Sequence, residues 1–153
     1  EARNLITIEN DEMSWGLDAS LELEKDLALV MDIHHHWIRA EEYIQPNDDR
    51  VKRVIDSWRG QRPTMHYSYS RDEHLAVANL GDKTHTEMHD IKMLLERGCK
   101  KQKLRAHSDL LPNAKVNDWA LSFGEHFDIQ TEAKGKNMAA EQLYRQAKET
   151  SVI

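Results

Sequence analysis

The chain has 153 residues, of which 39% are hydrophobic and 31% charged, and its formal net charge is −6 with histidine counted as neutral. This length suits one domain with a buried core, and no apolar run approaches the roughly 20 residues that cross a bilayer. The acidic balance argues against a broad nucleic-acid-binding surface unless bound divalent cations offset part of it. Cys99 is the single cysteine, which excludes an internal disulfide framework and fits a reducing, cytoplasmic compartment.

The first half of the chain alternates short apolar runs with helix-like periodicity. Continuous apolar runs are typical of buried strands, and apolar residues at i, i+3 and i+4 are typical of one helix face. In chain order we predict a strand at 5–8, a short helix at 17–27, a strand at 27–33, a helix around 51–58, and a strand that opens at Pro63.

The second half begins with an irregular polar stretch at 69–83, which reads as a loop. After it we predict helices over 88–95 and 116–123, a strand at 127–131, and a last helix from about Asn137. This alternation implies parallel strands joined by right-handed crossovers. A complete (β/α)8 barrel has about 250 residues and rarely fewer than 200. The pattern therefore predicts half a barrel or a small open α/β sheet.

Each predicted strand runs into a residue that can bind a metal: Glu9, Asp32, His66 and Glu132. Parallel strands gather their carboxyl ends at one edge, so we expect one shared site there. Taken singly, each residue has a simpler interpretation. A lone histidine is more often solvated or hydrogen-bonded, and Glu132 has Lys134 nearby as an ion-pair partner. The recurrence at four strand ends favours the shared site.

Three successive histidines, at 34–36, follow Asp32. We expect the strand end to unwind into a loop there and to direct Asp32 and His35 at one region. Carboxylate oxygen with imidazole nitrogen suits zinc, manganese or iron. The three rings cannot all point the same way, so at most two are expected to be ligands.

Bridging carboxylates together with imidazoles would form a multi-metal site. Such a site can hydrolyse phosphate esters, because one metal lowers the pKa of a bound water while its neighbour stabilises the leaving oxygen. A barrel isomerase that acts on sugars can use a similar set of ligands. The ligands alone therefore leave the reaction open.

Five motifs resemble those of the UV-damage endonuclease family and occur in the family's order. The resemblance covers about 5–149, except for an insertion at about 69–103 relative to shorter members. The motifs are LITIENDE at 5–12, MDIHHH at 31–36, HYS at 66–68, AHSDLL at 106–111 and FDIQTEAKGK at 127–136.

The resemblance implies a TIM (β/α)8-type barrel of the endonuclease IV-like and xylose isomerase-like superfamily. The chain, residues 1–153, would cover roughly strands 5–8, with the helical insertion after strand 7. The family's first four strands, which supply further histidine ligands, are missing. We therefore expect a carboxyl-terminal fragment, or one part of a split barrel that a complementary amino-terminal half-barrel chain completes.

The resemblance also implies an intracellular DNA repair enzyme that nicks damaged double-stranded DNA 5′ to UV photoproducts. It would use up to three divalent cations, Mn²⁺ in first place and Zn²⁺ or Mg²⁺ as alternatives. Some members have a lysine two residues before the seventh-strand histidine, where this chain has Thr64. Glu9, Asp32 and Glu132 would be catalytic, and Lys134 would contact the substrate. By motif, the metal ligands would be Glu9, Asp32, His35, His66, His107 and Glu132, of which His107 rests on the resemblance alone.

Two other interpretations stay open. One is a related metal barrel that acts on abasic sites or on sugars. The other is a non-catalytic half-barrel module that needs a partner chain, since an open sheet edge pairs readily with another chain. A membrane partner is not expected.

Overall fold

The computed structural model describes residues 2–150. At its centre lies a four-stranded, fully parallel sheet. The predicted α/β class with parallel strands is thus confirmed. The strands are β1 (Thr7–Glu9), β2 (Ala28–Asp32), β3 (Thr64–Tyr67) and β4 (Asp128–Thr131).

Helices connect and flank the strands. Within residues 2–150, no helix combines the length and apolar character needed to cross a bilayer. The α-helices are α1 (Leu17–Leu21), α2 (Ile33–Ala40), α3 (Asp49–Asp56), α4 (Asp72–Leu75), α5 (Ile91–Glu96), α6 (Lys101–Leu104), α7 (Ala114–Leu121) and α8 (Asn137–Glu149). Short 3-10 helices lie at Ala2–Leu5, Ala76–Ala78 and Gly81–Lys83.

The strands lie side by side in their chain order, β1-β2-β3-β4. Right-handed crossovers that always step in the same direction place the connecting helices on one face of the sheet. On that face, Met31, Met65 and Tyr67 are fully buried. On the opposite face, Thr64 and His66 are only half-buried. The described sheet is therefore wound in one direction, without the reversal of strand order that marks a doubly wound fold.

The helices pack through the residues that the periodicity predicted. Val51 and Val54 of α3 are buried, as are Ala139, Leu143 and Ala147 of α8. These spacings place each set on one helix face. Burying that face stabilises these helices far more than their intrinsic propensity does.

Several predicted boundaries were wrong. The first strand starts at Thr7, because the preceding residues form the 3-10 helix, and the helix expected over 17–27 ends at Leu21. The stretch 69–83 is not a loop but contains α4 and two 3-10 helices. Its apolar residues lack a helical period, yet Tyr69 and Leu75 are buried against the core.

Candidate metal centre

The carboxyl edge of the sheet brings four potential metal ligands together. One ligand atom from each of the four lies within 4.8 Å of the others. The strand register explains this convergence. Asp32 is paired with His66 across β2 and β3, and the Glu132 N–H donates to the Tyr67 carbonyl, 2.8 Å away, just beyond the β3–β4 pairing. The four residues are Glu9, Asp32, His66 and Glu132.

His66 links two of the carboxylates. Its Nδ1 donates to Glu9 Oε1 at 2.9 Å and lies 3.6 Å from Glu132 Oε1. This hydrogen bond raises the pKa of His66. Burial opposes ionisation of Glu9, but the contacts with His66 lower the pKa of Glu9 overall.

Asp32 is the most buried member, with no solvent exposure. Its Oδ1 accepts a hydrogen bond from the His35 backbone N–H at 2.8 Å. Its Oδ2 has no hydrogen-bond partner among the residues the structure describes. Burial raises the pKa of Asp32 well above its usual range. A buried carboxylate of this kind needs a proton or a cation beside it, because leaving it bare costs several kcal/mol.

The three successive histidines lie in a helix, so the expected loop after β2 was wrong. Asp32 caps α2 directly, and α2 begins at Ile33. Because a helix turns about 100° per residue, the rings diverge. His34 Nε2 donates to Ser70 Oγ at 3.1 Å, and burial lowers the pKa of His34 to about 3. His36 contacts Glu42 at 2.7 Å, and only His35 faces the cluster.

Asn10 holds this geometry, and the sequence interpretation missed it. The buried Asn10 side chain accepts from the Asp32 N–H at 2.8 Å and donates to the Asp32 carbonyl at 2.9 Å. Its own carbonyl accepts from His35 Nδ1 at 2.7 Å. The amide thus replaces the next rung of the β1–β2 ladder. The available signal was its position directly after the strand, since a side-chain amide carries a donor and an acceptor like those of a peptide group.

His107 lies next to the cluster but is not one of its four converging residues. Its ring centroid is 6.3 Å from that of His34. The Arg71 guanidinium, at 3.2 Å, donates to its backbone carbonyl. Burial lowers the pKa of His107, while the charge of Glu132 acts in the opposite direction. His107 is therefore within electrostatic range of the centre.

Lys134 does not pair with Glu132 in the part of the chain that the structure describes, so that simpler interpretation was wrong. Glu132 instead faces His66. The Lys134 N–H donates to the Ser108 carbonyl at 3.0 Å. The following Gly135 approaches the Asp109 backbone so closely that a Cβ would lie 2.4 Å from its carbonyl oxygen. These contacts fix the backbone beside Lys134, whose side chain is exposed.

Comparison with known proteins gave one family. No curated protein and no solved structure matched the chain. The model of the family described as "UV-endonuclease UvdE" matched residues 1–153. The chain therefore belongs to the UV-endonuclease UvdE family.

Proposed function

We propose that this chain forms part of a metal-dependent DNA repair endonuclease that acts inside the cell and nicks double-stranded DNA 5′ to UV photoproducts. The observation that carries the proposal is the convergence of four ligand atoms from four strand ends within 4.8 Å. Family membership supports DNA damaged by UV light as the substrate. The fully buried Asp32 Oδ2, which has no hydrogen-bond partner within residues 2–150, supports a cation at the site.

The donor set fits a divalent metal. Three carboxylates and an imidazole suit Mn²⁺, with Zn²⁺ and Mg²⁺ as alternatives. A bound divalent cation would lower the pKa of the attacking water and stabilise the leaving oxygen. We assign Glu9, Asp32, His66 and Glu132 to one ion, with His35 and His107 serving neighbouring ions, up to three in a complete barrel.

The protein's own contribution is to hold these ligands in place before substrate arrives. Glu9, Asp32 and Glu132 are the proposed catalytic carboxylates. The Asn10 amide fixes the Asp32 backbone, and the hydrogen bond from His66 orients Glu9. Ligands fixed in this way need little reorganisation during the reaction.

Lys134 is the proposed substrate contact. It follows the last ligand by two residues, and its backbone is anchored on the Ser108 carbonyl. Its ammonium has no carboxylate partner among the described residues, so it is available to a DNA phosphate. A cation at this place also offsets the repulsion between the acidic cluster and the DNA backbone.

The open sheet supports the half-barrel interpretation. Parallel strands in chain order with helices on one face form the winding of a (β/α)8 barrel. We assign β1–β4 to strands 5–8 and the segment 69–103 to an insertion after strand 7. The outer edge of β4 borders an open groove, lined in part by Leu143 and Tyr144 of α8. A strand of an amino-terminal half-barrel would fit beside this edge.

Nicking of UV-irradiated supercoiled plasmid by the full-length protein with Mn²⁺ tests the function. We expect conversion to the relaxed form, which Asp32→Asn and Glu132→Gln abolish. Glu42→Gln, outside the cluster, should nick like the wild type. Equal nicking by Asp32→Asn and the wild type would contradict the site. Equal cleavage of an abasic plasmid would favour the abasic-site alternative.

A further inference from the structure

A fourth carboxylate, Glu12, lies beside the centre and is outside the four-residue cluster. It follows β1 in the loop and is only 4% exposed. Its Oε1 is 2.5 Å from Arg105 Nε, and its Oε2 is 3.4 Å from His35 Nε2. Burial of a carboxylate among other acids requires compensation. Arg105 compensates one of its oxygens, and the other points at His35.

The hydrogen bonds of His35 fix which of its nitrogens can bind a metal. Nδ1 lies 2.7 Å from the Asn10 carbonyl oxygen. A carbonyl only accepts, so Nδ1 carries the hydrogen, and the lone pair of Nε2 is the one that could bind a metal. That lone pair faces Glu12 Oε2 at 3.4 Å and Asp32 Oδ2 at 3.5 Å. Two carboxylate oxygens beside one ring nitrogen need a proton or a cation to relieve their repulsion.

The Asp32 carboxylate that supports the first position also faces this one. Its Oδ2 is fully buried and has no hydrogen-bond partner in the described part of the chain. The two separations from His35 Nε2 also match a coordination shell. Ligands about 2.1 Å from a tetrahedral ion lie about 3.4 Å apart. The measured separations from His35 Nε2 are 3.4 and 3.5 Å.

We propose that Glu12 is a further metal ligand, and that its Oε2 forms a second cation position with Asp32 Oδ2 and His35 Nε2. This inference rests on the proposed function, which assigns Asp32 and His35 to neighbouring ions. Two carboxylate oxygens and one imidazole nitrogen suit Mn²⁺ or Zn²⁺. Asp32 then contributes to both positions.

Arg105 acts as a positioning residue for Glu12. It follows α6 and is half-exposed, so its guanidinium reaches the loop after β1 from the surface. By holding Oε1, it turns Oε2 toward His35. Arginine cannot ligate a cation, because it has no free lone pair at neutral pH. It therefore shapes the position without occupying it.

Titration of the intact protein with Cd²⁺, followed by ¹¹³Cd NMR and calorimetry, separates the two positions. The wild type should give one resonance and one binding event for each of these two positions. Glu12→Gln keeps the side-chain volume but loses the charge. It should weaken one event by about 10-fold or more and leave the other unchanged. Glu132→Gln should instead weaken binding at the position formed by Glu9, Asp32, His66 and Glu132 and leave the Glu12 position unchanged.

The matched control is Glu42→Gln. Glu42 also joins a histidine of α2, His36, to an arginine, Arg50, at a place with no orphaned carboxylate among the described residues. This variant should bind both ions like the wild type. Glu12→Gln that also binds both ions like the wild type, or that stays folded and loses both, overturns the proposal.

Two further outcomes distinguish this inference from the proposed function. A wild type that binds one ion overturns the second position and leaves the function intact, whereas a wild type that binds none removes the basis of both. Should Glu12→Gln fail to fold, anomalous scattering from wild-type crystals soaked in Mn²⁺ decides. We expect a peak within about 2.2 Å of Glu12 Oε2. A peak beside Asp32 and His35 that Glu12 does not touch overturns the proposal.

Discussion

Two neighbouring histidines of α2 lie in contrasting electrostatic environments. His36 is 2.7 Å from Glu42, and Arg50 reaches the same carboxylate at 2.7 Å. His35 also contacts a glutamate, Glu12, that is paired with an arginine, Arg105. Among the described residues, however, the carboxylates around His35 outnumber the cationic side chains paired with them. The carboxylates around His35 and His66 are Glu9, Glu12, Asp32 and Glu132.

The surroundings of His35 and His36 differ in their balance of charge and not in their residue types. In the group of His36, Glu42 and Arg50, which we call the balanced triad, the Glu42 carboxylate is paired with both other side chains, and Arg50 also pairs with Asp48. The carboxyl-edge centre leaves Asp32 Oδ2 without a partner in the described chain. A histidine beside a glutamate is therefore weak evidence for a metal site, whereas a surplus of buried carboxylates is strong evidence.

Removing one carboxylate from the metal centre and one from the balanced triad should give the largest difference in activity between the two regions. Glu9→Gln should lower nicking of UV-irradiated plasmid on the order of 10³-fold, because a bound metal supplies several kcal/mol of transition-state stabilisation. Glu42→Gln in the balanced triad should retain wild-type activity. The comparison fails if both variants lose activity equally.

The Asn10 amide should matter for stability and for metal binding together. Asn10→Ala leaves the Asp32 N–H and C=O buried without partners, which costs about 1–3 kcal/mol for each group. Urea unfolding should show this loss, and Mn²⁺ affinity should fall about 10-fold or more.

Asn113→Ala is the matched control for that change. Asn113 is also fully buried, and it caps α7 outside the cluster. This variant should lose stability but keep Mn²⁺ affinity. If Asn113→Ala weakens Mn²⁺ binding as much as Asn10→Ala does, Asn10 has no special role in the centre.

Added Mn²⁺ should stabilise the protein through the metal centre and not through the balanced triad. At 100 times its dissociation constant, Mn²⁺ should raise the free energy of unfolding by about 2.7 kcal/mol. Denaturant unfolding with and without Mn²⁺ measures this gain. Glu132→Gln should reduce the gain, and Glu42→Gln should preserve it. A full gain in Glu132→Gln would show that Mn²⁺ binds elsewhere.

The smallest expected effect is the pH dependence of the stability that Glu42 contributes in the balanced triad. The hydrogen bond with His36, together with Arg50, lowers the pKa of Glu42 below its ordinary 4.5. A lowered pKa means that the contribution to stability is present above pH 4.5 and is lost as the pH falls through the folded-state value. Since Glu42 is 43% exposed, we expect less than about 1 kcal/mol.

Urea unfolding of the wild type and of Glu42→Gln at several pH values measures that contribution. The two proteins should differ at pH 7 and converge in acid. A difference that grows as the pH falls would have the opposite sign and would refute the assignment.

The sequence contained enough to predict the convergence of the four strand-end residues. Strand periodicity and parallel topology bring Glu9, Asp32, His66 and Glu132 to one edge without knowledge of any side-chain contact. The last helix and its buried face were also predictable, since Ala139, Leu143 and Ala147 repeat at helical spacing.

The supporting residues could not be predicted in the same way. Asn10 and Glu12 stand in a polar run after β1, where sequence indicates an exposed loop. Both are buried because α2 docks over that loop and because Arg105 reaches it from a distant part of the chain. Such burial depends on tertiary contacts that periodicity does not contain. Asp32 did carry a local signal, since aspartate readily begins a helix.

Calorimetric titration of the intact protein with Mn²⁺, in parallel with Asp32→Asn, shows whether the buried carboxylate binds a metal. Asp32 is the buried carboxylate around which the ligands gather. We expect saturable Mn²⁺ binding by the wild type and an affinity at least about 10-fold lower in a folded Asp32→Asn protein. Equal affinities in the two proteins would contradict this expectation.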